Sequence, residues 1–161
     1  MSAGAPVSKI PVQTAFGNFY LQATSRGLYG LKFPARESKI HDCRITRILS
    51  GARKLLQEYF KGRPVSFRSL KIDLSGFTAF EQKVLKILSR IPRGRTHSYG
   101  WLAAKAGSPK AARAAGAVMR KNRLPIILPC HRIVPSGGGL GGYSQGPGWK
   151  KRLLALERNK V

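Results

Sequence analysis

Acidic residues, cysteines and long apolar runs are all scarce in this sequence. Only 6 Asp and Glu stand against 30 Lys and Arg, so the 161-residue chain carries a formal net charge of +24. Two cysteines are too few for a disulfide framework and fit a reducing, cytoplasmic setting. No apolar run approaches the roughly 20 residues that cross a bilayer, and residues 1–6 lack the layout of a secretory signal. We therefore expect neither a membrane protein nor a secreted one.

The excess of positive charge indicates a polyanionic partner. Hydrophobic residues make up 42% of the chain, enough for one folded domain or two small ones. Residues 1–76 hold 13 basic and 4 acidic residues, and residues 77–161 hold 17 and 2. A polyanion would relieve the self-repulsion, so nucleic acid bound through counterion release is the favoured interpretation. The alternative is a protein that is basic throughout because its proteome is unusual.

The first part of the chain has the pattern of a small antiparallel sheet. Apolar and aromatic segments at residues 19–24 and 28–33 flank Ser25-Arg26-Gly27, which has the composition of a hairpin turn. A further strand is predicted before Phe16. These segments predict a sheet built from neighbouring strands.

A helix is predicted after these strands. Apolar residues recur at helical spacing over residues 45–60, so the helix should run from an N-cap at Asp42 to Lys61, where Gly62 ends it. Strand character ends around Gly76. We therefore expect two domains, residues 1–76 and residues 77–161.

The second half has the pattern of helices. An apolar stripe over residues 80–91 predicts one of them. Ser98 has the position of an N-cap for a short helix over residues 99–106. Ser108 is predicted to cap a second helix, with a proline at its first position, that ends near Asn122. Two helices joined by a tight turn form a helix-turn-helix, whose second helix usually contacts DNA.

The exposed face of that second helix carries small residues between cations. Arg113, Gly116, Ala117 and Arg120 share this face. A major-groove reader normally presents long polar side chains there, whereas small residues let the helix backbone approach a narrow minor groove. The alternative is an alanine-rich helix selected only for propensity and close packing.

A cysteine and a histidine stand together among prolines. Three prolines in residues 124–135 favour extended backbone, which predicts that Cys130 lies on a strand beside His131. Cysteine attacks as the thiolate, so it needs a basic partner, and imidazole can serve. Neighbours on a strand point to opposite faces, so a bent backbone or a bridging water is required, and the water is favoured. A packed thiol beside a surface histidine is the alternative.

The imidazole also needs a carboxylate to fix its tautomer. Residues 77–161 contain only two acids, Glu81 and Glu157. Glu157 is the better candidate, because it lies on a predicted C-terminal helix whose residues Trp149, Leu153 and Leu156 are expected to face the core.

A glycine-rich stretch separates the Cys-His pair from this last helix. Residues 136–148 include seven glycines, which permit positive φ and close backbone approach. A flexible linker is one interpretation. Tyr143-Ser144 in its middle favours instead a substrate loop that offers backbone N–H groups.

Taken together, these motifs resemble the O6-alkylguanine-DNA alkyltransferases, also called methylated-DNA–protein-cysteine methyltransferases. The resemblance covers about residues 77–158. It rests on Pro129-Cys130-His131-Arg132 with Ile133-Val134, Ser98-Tyr99-Gly100, Gly107 to Gly116, Met119-Arg120, Asn122, Tyr143-Ser144 and the terminal Leu-Leu-Ala-Leu-Glu. It implies an α+β fold, with an N-terminal ribonuclease-H-like small antiparallel sheet and helix, and a C-terminal helical domain with a winged helix-turn-helix.

The resemblance also implies an activity and residue roles. Family members flip O6-alkylguanine, or O4-alkylthymine, out of duplex DNA and move the alkyl group irreversibly to their own cysteine, once per molecule. The residues that match catalytic positions are Cys130 as nucleophile, His131 as water-mediated base, Glu157 as its orienting acid, Tyr99 as proton donor and Asn122 as hinge. The matches to the guanine pocket are Tyr143, Ser144, Ile133 and Tyr99. The matches to DNA contacts are Arg113, which replaces the flipped nucleotide, and Ala111, Ala112, Gly116, Arg120 and Ser136.

Some residues depart from the family pattern. Trp101 and Gly142 are expected to alter the width of the pocket, and Glu81 places an acid near the expected DNA face. Some relatives bind a structural zinc, but only His41 and Cys43 lie together in the N-terminal domain, short of four ligands. We therefore expect no metal and no cofactor, and Cys43 to be a half-buried structural thiol. The expected partner is double-stranded DNA with O6-alkylguanine, bound through the minor groove by a monomer that can cluster on DNA.

Two other classes of function are compatible with parts of this pattern. One is a DNA-binding protein that recognises alkylated bases without chemistry, which the joint presence of Cys130, His131, Glu157 and Tyr99 disfavours. The other is a cysteine hydrolase, which is disfavoured because the charge indicates neither an oxyanion hole nor a peptide groove.

Overall fold

The computed structural model of the chain describes residues 8–34 and 47–158. The described residues form two compact units that divide after Gly76. We call residues 8–34 and 47–76 the first unit and residues 77–158 the second unit. No helix in these residues has the length and apolar character needed to cross a bilayer. The predicted N-cap Asp42 and the residues His41 and Cys43 lie outside the described residues.

The first unit is a three-stranded antiparallel sheet with one helix. The strands β1 (Ser8–Thr14), β2 (Gly17–Thr24) and β3 (Gly27–Lys32) pair in sequence order, so all three predicted strands are confirmed. Helix α1 (Arg47–Phe60) buries the apolar face that includes Leu49 and Leu56. The sheet and α1 share one hydrophobic core, because alternate strand residues and every third or fourth helix residue point inward.

The second unit holds four helices and a short parallel strand pair. In chain order these are α2 (Ala79–Leu88), β4 (His97–Ser98), α3 (Tyr99–Lys105), α4 (Ala112–Lys121), β5 (Ile133–Val134) and α5 (Pro147–Arg158). Strand β4 pairs with β5, so the start of α3 lies beside the segment that follows Cys130.

Helix α2 begins at a capping box. The Thr78 hydroxyl accepts from the Glu81 backbone N–H, and the Glu81 carboxylate accepts from the Thr78 N–H. Glu81 also accepts from Lys121 at 2.5 Å and is only 8% exposed. The acid that was expected near the DNA face is therefore committed to helix capping and to an ion pair that ties α2 to α4.

The helix-turn-helix is formed by α3 and α4. The predicted N-cap Ser98 is confirmed, because its Oγ accepts from the Trp101 N–H at 3.1 Å. The predicted N-cap Ser108 is wrong: Ala111 is the N-cap of α4, without a side-chain hydrogen bond. The Ala111 N–H donates to the Ser108 carbonyl and closes a four-residue turn. Pro109 is the second residue of this turn. Proline favours that position as well as the first position of a helix, so the sequence fits both structures. The predicted end at Asn122 is confirmed.

Candidate active site

Cys130 lies at the start of a single 3₁₀ turn and not on a strand. This turn, Cys130–Arg132, corrects the predicted extended segment. Pro129 has φ −78° and ψ 67°, and the Cys130 N–H donates to the Leu128 carbonyl at 2.8 Å, which is an inverse γ-turn. Proline fixes φ but leaves ψ free, so the prolines did not require an extended chain. The bend removes the opposite-face geometry that a strand would impose on Cys130 and His131.

Asn122 braces the loop that leads into this turn. Its Nδ2 donates to the Leu128 carbonyl at 2.8 Å, and its Oδ1 accepts from the Leu124 N–H at 3.0 Å. The loop also holds Ile126 at φ 76°, a strained conformation for a β-branched residue. Asn122 therefore fixes a strained loop that sets the position of Cys130.

The thiol of Cys130 is protonated at rest. The residue is 4% exposed, and burial raises the pKa of its thiol. Hydrogen bonds from Asn122 and Tyr143 and the charge of Lys150 lower that pKa without cancelling the effect of burial. Attack by sulfur therefore requires a base that removes the proton.

His131 and Glu157 form a buried pair. His131 is 0% exposed, so the interpretation as a surface histidine is wrong. Its Nε2 lies 2.7 Å from the Glu157 Oε1. Burial lowers the pKa of His131, while hydrogen bonds from His131 and Arg132 hold the pKa of Glu157 far below its usual value against the opposing effect of burial. A neutral imidazole beside a carboxylate carries its proton on Nε2, which leaves Nδ1 as the acceptor.

The second nitrogen of His131 has the features of a general base. Nδ1 is buried and has no hydrogen-bond partner among the described residues. A ring nitrogen with a free lone pair can accept a proton, directly or through a water, although burial makes this imidazole a weaker base. The predicted roles of His131 as base and Glu157 as its orienting acid are compatible with this geometry.

Arg132 completes the buried charge cluster, a role that the sequence did not predict. Its Nε donates to the Glu157 Oε2 at 3.0 Å and its Nη2 donates to Oε1 at 2.8 Å, a bidentate pair. Its Nη1 donates to the Ile91 carbonyl at 2.5 Å. The one available signal was its place in the Pro-Cys-His-Arg motif.

The buried face of α5 differs from the expected one. Lys150, Leu153, Leu154 and Glu157 are buried, whereas Trp149 and Leu156, expected to face the core, are half-buried. Two charged residues lie on the inner face because each has buried polar partners. Hydrophobic periodicity alone therefore placed Leu153 correctly in the core, but it did not find the full burial of Lys150 and Leu154.

Lys150 is a functional candidate that sequence reasoning missed. It is 0% exposed, and its Nζ donates to the Ile133 carbonyl at 2.6 Å and to the Gly142 carbonyl at 3.4 Å. Burial lowers the pKa of its ammonium, while the nearby Cys130 sulfur opposes that shift. Lys150 thus joins β5 to the glycine-rich loop and puts positive charge near the thiol. Among 17 cations in residues 77–161, nothing in the sequence singled it out.

A cavity of about 750 Å³ opens onto Cys130. Eight of its lining residues are predicted site residues: Tyr99, Ala112, Arg113, Gly116, Arg120, Cys130, Tyr143 and Ser144. Met119 and Gly142 also line it. Trp101 is not among the lining residues and stacks on His97 with ring centroids 3.7 Å apart, which corrects its expected effect on pocket width. The cavity brings the predicted nucleophile together with the cationic face of α4.

The remaining predicted residues lie around the cavity without lining it. Ala111 caps α4, Ser136 lies in the turn after β5, and the Ile133 carbonyl already accepts from Lys150. Asn122 and the His131–Glu157 pair are buried. These residues therefore support or surround the cavity and do not form its wall.

Tyr99 lines the cavity with a phenol that holds its proton. Burial raises the pKa of its phenol, and a thiolate at Cys130 would raise that pKa further, so the hydroxyl keeps its proton at neutral pH. A Cβ placed on Gly116 would lie 3.8 Å from the Tyr99 ring. That is an ordinary van der Waals distance, so the phenol packs beside α4 at a position that would admit a methyl group but no large side chain.

The glycine-rich loop packs against the protein at one defined point. Gly141 has φ +66°, and a Cβ there would lie 2.8 Å from Pro135 Cγ. With the Gly142 carbonyl accepting from Lys150, this contact favours the interpretation as a substrate loop over a linker. In the described residues, no group of three His, Cys, Asp or Glu side chains could hold a metal ion.

Comparison with known protein families accounts for both units. Residues 79–159 match the DNA binding domain of 6-O-methylguanine DNA methyltransferase, and residues 10–74 match its ribonuclease-like domain. The chain belongs to this methyltransferase family. The family resemblance and the α+β fold class are thereby confirmed.

Named relatives of this methyltransferase include bacterial and archaeal proteins. The Mycobacterium bovis methylated-DNA–protein-cysteine methyltransferase is 44% identical over 112 residues, which cover 70% of this chain and 67% of the relative. The Methanosarcina barkeri protein of the same name is 34% identical over 154 residues, covering 93% and 96%. The Mycobacterium tuberculosis OGT crystal structure in complex with DNA matches with a TM-score of 0.82 at 37% identity, covering 94% and 93%.

Replacing Lys150 with methionine is expected to make the thiol of this methyltransferase less reactive. Loss of the buried positive charge raises the pKa of Cys130, and a rise of one unit lowers the thiolate fraction about tenfold at neutral pH. The measurement is the pH dependence of alkylation of Cys130 by iodoacetamide. Lys151→Met removes the same charge from an exposed position of α5 and should leave the profile unchanged. Identical profiles for both variants would contradict the electrostatic role.

Proposed function

We propose that this methyltransferase repairs duplex DNA by taking the alkyl group from O6 of guanine, and from O4 of thymine, onto Cys130. The observation that carries the proposal is the cavity that holds Cys130, Tyr99 and Arg113 together. It is large enough for a flipped base and borders a helix with cations at both ends of its exposed face. The enzyme acts once per molecule, because the thioether product has no proton to lose and no ready reverse step.

The chemical step moves one alkyl group and two protons. His131 accepts the proton of the Cys130 thiol, through a water, while Glu157 holds the imidazole tautomer. The sulfur forms a bond to the alkyl carbon, and the bond from that carbon to O6 breaks. Tyr99 donates a proton to the departing guanine, which would otherwise leave as a poor guaninate anion. Asn122 keeps the Cys130 turn in position.

Binding uses the pocket and the small-residue face of α4. The base is held by Tyr143, by the backbone of Ser144 and by the carbonyls of Cys130 and Ile133, since a carbonyl that accepts from Lys150 keeps a second lone pair. The methyl carbon is buried in duplex DNA, so the nucleotide must be extruded at a cost of a few kcal/mol. Arg113 offsets part of this cost by filling the gap in the stack.

The approach to DNA is through the minor groove. Ala111, Ala112, Gly116 and Arg120 lie on α4 or at its cap, and Ser136 adds a backbone contact. Both the chemistry and DNA binding belong to residues 77–161, and residues 1–76 form a separate domain. The enzyme acts as a cytoplasmic monomer that can cluster along DNA.

The test is the intact mass of the protein after incubation with a duplex that carries one O6-methylguanine. We expect a gain of a single CH₂ group, mapped by peptide analysis to Cys130, that never exceeds one per protein when DNA is in excess. Binding without any mass change would identify a non-catalytic reader of alkylated DNA. Multiple turnover of an ester would identify a cysteine hydrolase.

Arg113→Ala is expected to slow repair of duplex DNA by about 10- to 100-fold, which corresponds to losing about 1.4–2.8 kcal/mol of the free energy that offsets base extrusion. Reaction with free O6-benzylguanine needs no extrusion and should be unchanged. Both are measured as single-turnover rates. Lys110→Ala removes one exposed charge from the preceding turn and serves as the control. Equal losses with both substrates would contradict the role of Arg113.

A further inference from the structure

A second concave surface lies on α2 and the end of α3. Its volume is about 440 Å³, and it shares no lining residue with the cavity of Cys130. Lys83 and Lys86 on α2 and Lys105 at the end of α3 line it, and all three are exposed. We call this surface, defined by Lys83, Lys86 and Lys105, the lysine groove.

The lysine groove concentrates charge of one sign. Lys83 and Lys86 are three residues apart on α2, a spacing at which like charges repel. None of the three lysines forms an ion pair with a carboxylate of the described residues. The two acids of the second unit are committed elsewhere, Glu81 to Lys121 and Glu157 to Arg132. A concave surface of one charge focuses its potential and attracts counterions.

The ammonium group of Lys83 lies close to Gly107. Gly107 follows α3 with φ +82°, and a Cβ there would lie 3.2 Å from the Lys83 Nζ. The missing side chain leaves room for the Lys83 ammonium beside Gly107, just after the end of α3. The three ammonium groups therefore line a single groove.

We propose that the lysine groove binds backbone phosphates of DNA beyond the segment that α4 reads. The inference rests on the proposed function, because it takes DNA as the partner. Ammonium groups are point charges that bind phosphates without reading sequence. Among the residues that the structure describes, no aromatic side chain lines the groove for single-stranded bases to stack on, and surfaces rich in lysine are uncommon at protein interfaces. Duplex DNA is thus the polyanion that fits it best.

The experiment compares two triple variants of the full-length chain. In the groove variant, Lys83, Lys86 and Lys105 are each replaced by glutamine. In the control variant, the exposed residues Lys32, Lys54 and Lys71 are replaced in the same way, so the net charge is equal. The affinity for undamaged duplexes of one helical turn, about 10 bp, and of about four turns is measured across salt concentrations.

Each phosphate contact contributes about 0.9 to the slope of log K against log salt concentration. We expect the groove variant to lower the slope by about 2–3 on the long duplex and to leave it unchanged on the short one. The control variant should change either slope by less than about 1. A variant with arginine at all three groove positions should keep the slope of the wild type.

Equal slopes for the two glutamine variants, or equal losses on the short and the long duplex, would overturn the proposal. Loss of binding to single-stranded RNA with an unchanged DNA slope would also overturn it. If the triple variant does not fold, Lys105→Gln alone should lower the long-duplex slope by about 1. Alkyl transfer from free O6-benzylguanine needs no DNA, so a protein that shows no such transfer would refute the proposed function. The salt slopes would still test the lysine groove independently.

Discussion

Cys130→Ser is expected to abolish alkyl transfer completely, with no mass gain after incubation with O6-methylguanine DNA. A serine hydroxyl is a far weaker acid and nucleophile than a thiol. The proposed base, His131, is weak as well, because burial lowers its pKa. Intact mass spectrometry over long incubation measures the effect.

The fold and the affinity for DNA should survive this substitution. The turn at Cys130 is held by backbone hydrogen bonds, from Cys130 N–H to Leu128 and from Arg132 N–H to Pro129. Retained thermal stability and duplex binding are therefore the control. An adduct of undiminished yield in the variant, on Cys43 or elsewhere, would show that Cys130 is not the acceptor.

Glu157→Gln is expected to lower both stability and transfer. Removing the carboxylate leaves the buried guanidinium of Arg132 without its bidentate partner, and breaking a buried pair costs about 3–5 kcal/mol. The amide also offers an N–H to His131, which favours the tautomer with its proton on Nδ1 and removes the acceptor. Loss of general base catalysis lowers the transfer rate by about 10²- to 10⁴-fold. Urea unfolding and single-turnover kinetics measure the two effects.

Glu81→Gln is the matched control, since Glu81 is the other buried acid of the second unit. Its ion-pair partner Lys121 is exposed, so the free energy of unfolding should fall by no more than about 1 kcal/mol. The rate of alkyl transfer should be unchanged. Equal losses of stability and of transfer rate in the two variants would contradict the role assigned to Glu157.

Acid should remove the stability that Glu157 supplies. The folded-state pKa of Glu157 lies below its unfolded value of about 4.3, so the unfolded state binds more protons in acid. The contribution is complete above that unfolded value and is lost as pH falls towards the folded pKa. The stability difference between wild type and Glu157→Gln should therefore narrow below about pH 4.

Local signals predicted local structure well and failed where two conformations suit the same residues. Ser98 caps α3 as predicted, because its side chain and the following helix are neighbours in sequence. Ser108 does not cap α4, since the proline after it also fits a turn. Thr78 and Glu81 carry the sequence signature of a capping box, which could have been found by spacing alone.

By itself, the sequence determined the net charge of +24, the order of strands and helices and the adjacency of Cys130 and His131 in one short motif. These depend on composition and on neighbours along the chain. Only the tertiary structure decided that Lys150 is buried, that Arg132 and His131 share a carboxylate 25 and 26 residues away, and that the pKa of the Cys130 thiol is raised above its ordinary value. Burial and long-range hydrogen bonds set these properties, because the energy of a charge depends on the groups and solvent that surround it in space.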